Sequence, residues 1–332
     1  MPSPDPARRH LAACLALAAA MPARFAQAAP DPSRFPAHPV KLIVPYAPGG
    51  THDTIARLYG QQMTELLKQP VVVDNRPGAG GTVAAGVAAK APADGYTVFV
   101  GDVGANAIAA SLYPTLGYDP VRDFAPLTLA ATHPTLIAVN PALPVRSMQE
   151  LLALAKAKPG SLAYGTVGIG SVSHMAMELL KTVTGAGMMH VPYKGGPAML
   201  TAAAGGEVQV APTSLQSALP FIASGKLRPL AQMGAQRSPL LPEVLTLAEL
   251  GIRGVIVETW AGFLVPAATP PAVAEQLQRA FVRAGRSDEV GSKLRAMGWE
   301  PVNGTPEEFR RFLASETEKY AKVVRAANIK PE

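Results

Sequence analysis

Two glycine-rich turns, each followed by a helical pattern, are the parts of this sequence best suited to binding an anion. The first lies in "VPYAPGGTHDTIARLYGQQMTELL", residues 44–67, where Gly49 and Gly50 separate an apolar strand pattern from an amphipathic helix pattern. The second is "TVGIGSVSH", residues 166–174. The first turn of a helix leaves backbone N–H groups without intrahelical acceptors, and the helix dipole adds positive potential there. Each turn is therefore predicted to hold an anion through main-chain donors.

The residues around the first turn argue against a nucleotide phosphate. A Walker loop needs a lysine after its last glycine, and none follows Gly50. A dinucleotide-binding turn needs a third glycine at the position that Asp53 occupies. A small carboxylate suits the turn better, and Thr51 could add a hydroxyl donor. The alternative is that each turn only connects a strand to a helix.

Three further segments are predicted to complete a pocket between the two turns. They are "GDVGAN" at 101–106, "PYKGG" at 192–196 and "APTS" at 211–214. Lys194 is interpreted as a solvated turn residue more readily than as a ligand contact. The candidate ligand-binding residues are Tyr46, Pro48, Gly49, Gly50, Thr51, Asp53, Asp102, Asn106, Thr166, Val167, Gly168, Ser171, His174, Tyr193 and Thr213.

The sequence shows no recognisable catalytic arrangement. The serines of "GIGSVSH" stand at the wrong offsets for a nucleophile elbow. The histidines beyond the leader, at positions 38, 52, 133, 174 and 190, include no His-x-x-x-His pair for a metal. His52 and His174 are interpreted as rim or capping side chains. We therefore expect no enzymatic activity, cofactor or metal, with a secreted hydrolase of unrecognised site as the alternative.

The N-terminus has the features of an export signal. Arg8 and Arg9 precede a short apolar run, and Ala26-Gln27-Ala28 has the small-x-small pattern of a signal-peptidase site. We predict cleavage after Ala28, with residues 1–28 as the signal peptide. "LAAC" at 11–14 resembles a lipoprotein box but opens the apolar run, so lipidation is the less favoured alternative.

The mature chain is predicted to be a soluble periplasmic protein with no nucleic-acid partner. Cys14 is the only cysteine, so cleavage would leave no thiol for a disulfide or a metal. No Lys/Arg run of four occurs, and no second apolar stretch of about 18 residues follows the leader.

Alternating strand and helix patterns predict an α/β fold with two lobes. Residues 127–140 and 257–270 are extended and are predicted to cross between lobes. The predicted boundaries are 35–130 and 256–332 for the first lobe and 131–255 for the second. Ser147, Thr269 and Thr305 are each predicted to begin a helix, with Glu150 and Glu308 completing capping boxes.

Seven ordered blocks resemble a known family and cover residues 35–332. They are "FPAHPVKLIVPYAPGGTHDTIAR", "QPVVVDNRPGAGG", "ADGYTVFVG", "SLYPTLGYDPVRDFAPLTL", "HVPYKGGPAML", "ALPFIASGKLRPLA" and "AATPPAVAEQL". The chain resembles the Bug-type periplasmic receptors of tripartite tricarboxylate transporters. The resemblance implies a two-lobed type II periplasmic-binding-protein clamshell with a doubly wound sheet in each lobe. It also implies a carboxylate ligand, such as an organic or amino acid, and membrane permease subunits as partners.

The same resemblance assigns Tyr46, Gly49, Gly50, Thr51 and Asp53 to a first binding loop. Thr166, Gly168, Ser171 and His174 fall on the second. Asp102 and Val167 depart from the family's usual residues and disfavour a plain polyanion.

Two consequences follow as expectations. Gly50→Val should abolish binding, because a side chain there would block the backbone donors. Asp53 and Asp102 should repel a second ligand carboxylate, which favours a monocarboxylate, an amino acid or an acid with a neutral polar tail over citrate. The alternative is that Asp53 caps its own helix and Asp102 points to solvent. A monomeric receptor is expected, and a ligand sensor in a signalling system is the alternative to transport.

Overall fold

The fold is built on one curved sheet of ten strands, seen in a computed structural model that describes residues 35–331. The strands are β1 (Val40–Val44), β2 (Val71–Asn75), β3 (Thr97–Asp102), β4 (Phe124–Val139), β5 (Ala163–Thr166), β6 (Met189–Pro192), β7 (Val210–Ser214), β8 (Arg228–Gln232), β9 (Glu258–Pro266) and β10 (Glu300–Pro301). The main path runs β2-β1-β3-β9-β4-β7-β5-β6, and β8 and β10 also pair with β4.

Helices follow most strands, as the alternating pattern predicts. They are α1 (Thr51–Leu67), α2 (Thr82–Ala89), α3 (Ala109–Leu112), α4 (Met148–Ala157), α5 (Val172–Thr184), α6 (Gly196–Gly205), α7 (Leu215–Ala223), α8 (Pro271–Gly285), α9 (Asp288–Ala296) and α10 (Pro306–Ala326). A π-helical turn, Gly104–Ile108, leads directly into α3.

Strand β4 divides the sheet into two lobes. Its first part, up to Pro134, pairs antiparallel with β9, beyond which β3, β1 and β2 form the first lobe. Its last part, from Thr135, pairs with β7 and β8, and β5 and β6 complete the second lobe. The extended segment predicted at 127–140 is thus confirmed as one long strand.

The second crossing lies beside the first. The carbonyl of Val257 accepts from the Thr135 N–H (3.1 Å), and the Val257 N–H donates to Met233 (2.7 Å), just before β9 begins. The two connections between lobes therefore run side by side, which is the arrangement of a hinge.

The capping predictions are borne out at one helix, partly at a second and not at a third. Thr305 and Glu308 form the full capping box of α10. Ser147 caps α4, but the Glu150 carboxylate accepts from the N–H of Arg146 (2.5 Å) and not of Ser147. Thr269 does not begin α8, because its hydroxyl donates to the Pro266 carbonyl (2.7 Å) and the helix starts at Pro271.

Within residues 35–331, no helix combines the length and the apolar character needed to cross a membrane. The predictions about the signal peptide, its cleavage after Ala28 and Cys14 fall outside the described residues.

Candidate functional site

A cavity of about 510 Å³ lies between the two lobes, within the usual size range of small-molecule sites. Both lobes and both hinge strands contribute to it. Its lining comprises Tyr46, Gly80, Gly104, Ile108, Ala109, Leu112, Tyr113, His133, Thr135, Val167, Ile169, Gly170, Ser171, Val172, Ser173, Gly196, Met199, Pro212, Thr213, Ser214, Ser217 and Thr259.

The first glycine turn already holds an anion, and that anion is Asp53. Its carboxylate accepts from the Gly49 N–H (2.8 Å), from Arg57 Nε (2.9 Å) and from Asn75 Nδ2 (2.9 Å). Burial opposes ionisation, but the hydrogen bonds from Arg57 and Gly49 hold the pKa of Asp53 below its ordinary value.

The cavity lining accordingly includes Tyr46 from this region but excludes Pro48, Gly49, Gly50, Thr51 and Asp53. Gly50 lies outside this lining, and the expected loss of binding in Gly50→Val stays a prediction. Asp53 lies in the first turn of α1, where a carboxylate interacts favourably with the helix dipole, although Gly50 at the N-cap receives no side-chain hydrogen bond.

Asp102 has a similar role at the neighbouring helix start. Its carboxylate accepts from the N–H groups of Gly104 (3.1 Å) and Ala105 (3.0 Å) and from the Tyr46 hydroxyl. It is 1% exposed, so it points neither into the cavity nor to solvent. Asn106 is equally buried, and its Oδ1 accepts from the Asp102 N–H (3.1 Å). Direct repulsion of a ligand by Asp53 and Asp102 therefore does not arise here.

The second glycine turn does border the cavity, but its residues divide into lining and support. Val167 and Ser171 line the cavity, whereas Thr166, Gly168 and His174 are not part of its lining. Thr166 Oγ1 lies 2.6 Å from Nε2 of His190, whose ring stacks on His174 at 3.9 Å.

Nδ1 of His174 accepts from the Gly170 N–H (3.1 Å), which ties the turn to this stacked pair. His174 is thus placed to hold the turn's shape. Of the remaining candidates, Thr213 lines the cavity and Tyr193 does not; the Tyr193 N–H donates to the Thr166 carbonyl (2.9 Å).

Residues at the starts of three second-lobe helices line the same cavity. Helix α5 begins after Ser171, α6 after Gly195 and α7 after Ser214. Gly196 at the start of α6 and Ser214 and Ser217 at the start of α7 line the cavity beside Ser171. The "PYKGG" and "APTS" segments were predicted to border the pocket, but the residues chosen from them were Tyr193 and Thr213, and Gly196 and Ser214 were missed. Ser217, which lies beyond "APTS", was missed as well.

The two lobes differ in what caps these helix starts. In the first lobe, Asp53 accepts from the Gly49 N–H just before α1, and Asp102 accepts from the N–H groups of Gly104 and Ala105 in the Gly104–Ile108 turn. In the second lobe the caps are the uncharged Ser171, Gly195 and Ser214. Three uncharged helix starts therefore meet on the second-lobe side, where a ligand anion would be stabilised. In the first lobe, α2 also begins after an uncharged residue, Gly81, beside Gly80 of the lining.

The lobes touch at the rim of the cavity through Gly170 and Leu112. Gly170 has φ +76°, and an ideal Cβ built on it would lie 2.3 Å from Cδ2 of Leu112. Leu112 belongs to α3 in the first lobe and is 6% exposed. This contact closes the cavity on one side, and only glycine fits at position 170.

Two histidines beside the cleft, His133 and His174, should make the stability of the fold depend on pH. Burial lowers the pKa of His133 and of His174 to about 4, from about 6.5 in an exposed histidine. In the unfolded chain both return to about 6.5, so the unfolded state binds more protons between pH 6.5 and 4. Their contribution to stability is complete above pH 6.5 and falls as pH decreases through that window, by up to about 1.4 kcal/mol per pH unit for each.

We expect His133→Gln to make this acid-side loss of stability shallower. Urea unfolding at several pH values between 7.5 and 4.5 measures the slope, and His38→Gln, at an exposed position, is the matched control. Burial raises the pKa of Glu316, which acts in the opposite sense but equally in all three proteins. Parallel curves for His133→Gln and the parent would contradict the assignment.

The described part of the chain contains no group of three or more His, Cys, Asp or Glu residues arranged to hold a metal. The cavity lining contains hydroxyls, backbone groups and one histidine, His133, whose Nδ1 donates to the Pro134 carbonyl (3.2 Å). His52 is buried away from the lining, where its Nε2 donates to the Trp260 carbonyl (3.2 Å). The Thr166 hydroxyl and the His190 ring, which lie 2.6 Å apart, are not part of the lining. The lining is equipped to bind a molecule.

Comparison with known proteins agrees with this geometry. Residues 55–329 match the model of the tripartite tricarboxylate transporter family receptor. Protein BugT of Bordetella pertussis is 37% identical over 298 residues, covering 89% of this chain and 91% of BugT. An R. palustris protein solved with adipate has a TM-score of 0.78 at 38% identity, covering 90% of this chain and 100% of that one. MatC from Rhodopseudomonas palustris, with bound malate, has a TM-score of 0.74 at 31% identity, covering 87% and 100%.

These similarities confirm the two-lobed type II clamshell. The family consists of substrate-binding receptors, so the expectation that this protein is not an enzyme is also confirmed. By the family model and by its relatives alike, the chain belongs to the tripartite tricarboxylate transporter receptor family, whose members include the Bug proteins.

Proposed function

We propose that this protein is a periplasmic receptor that captures a small carboxylate-bearing molecule between its lobes and delivers it to the permease subunits of a tripartite tricarboxylate transporter. The observation that carries this proposal is the convergence of three second-lobe helix starts, with uncharged caps, on one interlobe cavity. Relatives solved with adipate and with malate support an organic acid as the ligand class.

The grip on the carboxylate would come from main-chain donors and hydroxyls. Val172 and Ser173 occupy the first two positions of α5, where N–H groups have no intrahelical acceptor, and both line the cavity. Each helix start contributes about half a unit of positive charge, so three of them can offset one carboxylate without a lysine or arginine. Ser214 and Ser217, whose Oγ atoms are 2.8 Å apart, add hydroxyls that can rotate toward the ligand.

The hinge arrangement supports closure around the ligand. We retain the two lobes proposed from the sequence, 35–130 with 256–332 and 131–255, and move the first crossing to the point between Pro134 and Thr135 where β4 changes its pairing partners. The receptor is proposed to act as a monomer that enters the periplasm after cleavage behind Ala28, without a lipid.

Binding without turnover is the direct test. Protein recovered from the periplasm, with a mass that corresponds to a chain starting at Ala29, should bind one organic acid per molecule in calorimetry. Ligand at 100 times its dissociation constant should raise the free energy of unfolding by about 2.7 kcal/mol. The acid should be recovered unchanged. Consumption of the acid would contradict the receptor function, and a diacylated Cys14 would contradict the proposed export route.

The alternative role in signalling rests on no observation in the structure. Deleting the gene that encodes this protein should therefore abolish uptake of the bound acid by whole cells. Unchanged uptake, together with a lost transcriptional response to that acid, would favour the sensor.

A further inference from the structure

The lining of the cavity is uncharged on every side. It includes no Lys, Arg, Asp or Glu, and its only histidine, His133, is partly buried. Helix starts can offset one carboxylate on the second-lobe side, but no lining side chain offers a cation to a second one. An unpaired charge held against such a wall loses its hydration without compensation.

The first-lobe wall is apolar. Ile108 and Leu112 are 2% and 6% exposed and face the cavity together with Ala109 and Tyr113. Across from them, Val167 and Ile169 on the second-lobe turn are 42% and 37% exposed, although both are large and apolar. Solvent-accessible apolar side chains concentrated in a cleft mark a surface that a ligand covers.

An acidic group lies directly behind the first-lobe wall. Tyr46 and Gly104 both line the cavity, and both donate to the same Oδ2 of Asp102. No lysine, arginine or histidine of the described chain lies within ion-pair distance of this carboxylate, whereas Asp53 is paired with Arg57. The Asp102 charge therefore acts through one layer of side chain and backbone on anything placed against Tyr46.

We infer that the ligand of this site carries a single carboxylate, held by the second-lobe helix starts, and an apolar aliphatic or aromatic body packed against the first-lobe wall. This inference rests on the proposed function and specifies its ligand class. It differs from the dicarboxylates bound to the two R. palustris proteins, adipate and malate. It also replaces the polar tail expected from the sequence, since Asp102 acts from behind the wall and Asp53 does not reach the cavity.

The test compares acids that differ only in the second carboxylate. Calorimetry at pH 7.5, where all the carboxyl groups are ionised, should show hexanoate binding at least tenfold more tightly than adipate, and benzoate at least tenfold more tightly than terephthalate. Equal or tighter binding of adipate and terephthalate would overturn the inference and leave the receptor function standing. If none of the four acids binds, the carboxylate-receptor function itself fails, and the inference fails with it.

A gain-of-function variant makes the same test independent of absolute affinity. Tyr113 lines the first-lobe wall and is only partly buried, so an arginine there can reach the cavity without entering the core. Tyr113→Arg should raise adipate affinity at least tenfold relative to hexanoate, while Tyr113→Leu, which lacks the charge, should not. Circular dichroism and the melting temperature check that both variants are folded. An unchanged adipate-to-hexanoate ratio in folded Tyr113→Arg would overturn the placement of the apolar end.

Discussion

Ser214→Asp should lower the affinity for a carboxylate ligand at least a hundredfold while leaving the fold intact. Ser214 lines the cavity and caps α7, where its side chain accepts from the Ser217 N–H (3.2 Å). Aspartate is as good an N-cap as serine and interacts favourably with the helix dipole, so α7 should be retained. A new carboxylate about 4 Å from the ligand carboxylate costs about 4 kcal/mol at an effective dielectric constant of about 20.

Two variants isolate the cause of that loss. Ser147→Asp makes the same substitution at the start of α4, outside the cavity, and should leave affinity unchanged. Ser214→Asn keeps the size and the capping ability without the charge, and should retain most of the affinity. Calorimetry with a bound acid and thermal melting of each variant provide the measurements. Parent-like affinity in Ser214→Asp would show that the carboxylate does not lie at the second-lobe helix starts.

Gly170→Ala should weaken binding by tenfold to a hundredfold by preventing full closure of the lobes. The added Cβ would overlap Cδ2 of Leu112, so the Leu112 side chain, which belongs to the core and borders the cavity, would have to shift. Overpacking of this kind costs about 1–3 kcal/mol. Because Gly170 and Leu112 belong to different lobes, this cost falls on the closed state and not on either lobe alone.

Gly168→Ala is the matched control, since Gly168 lies in the same turn with φ +128° and no atom lies within 4 Å of its ideal Cβ. Both variants therefore place alanine at positive φ, but only in Gly170→Ala does the new Cβ contact the opposite lobe. Adding Leu112→Ala to Gly170→Ala should restore much of the lost affinity, and small-angle scattering should show the closed population returning. If the two single variants lose affinity equally, the cause is backbone strain in the turn and not the contact between lobes.

Local chemistry was sufficient to predict most elements of the fold. In α1, the sequence predicts one apolar stripe, because helical periodicity is a property of neighbouring residues. Of its members, Leu66 is only partly buried and the others are buried: Ile55, Leu58, Tyr59, Met63 and Leu67. The Thr305–Glu308 capping box is equally local. The long extended segment that became β4 was visible because its side chains are apolar over a length that no helix pattern fits. The seven ordered sequence blocks predicted the family and, through that resemblance, the two-lobed clamshell fold.

Which helix starts line the interlobe cavity was decided only by the tertiary structure. The turns before α1 and α5 look alike in sequence, yet only the second borders the cavity. In the first, the Gly49 N–H donates to Asp53, which Arg57 and Asn75 also hold, Asn75 from a neighbouring strand. The starts of α6 and α7 lie about 20 to 50 residues beyond that of α5 and reach the same cavity only because β5, β6 and β7 pair side by side. A pattern along the chain identifies a helix start and its cap, but whether its donors are free and where they point depends on strand pairing between distant segments, and this pairing is established only when the sheet forms.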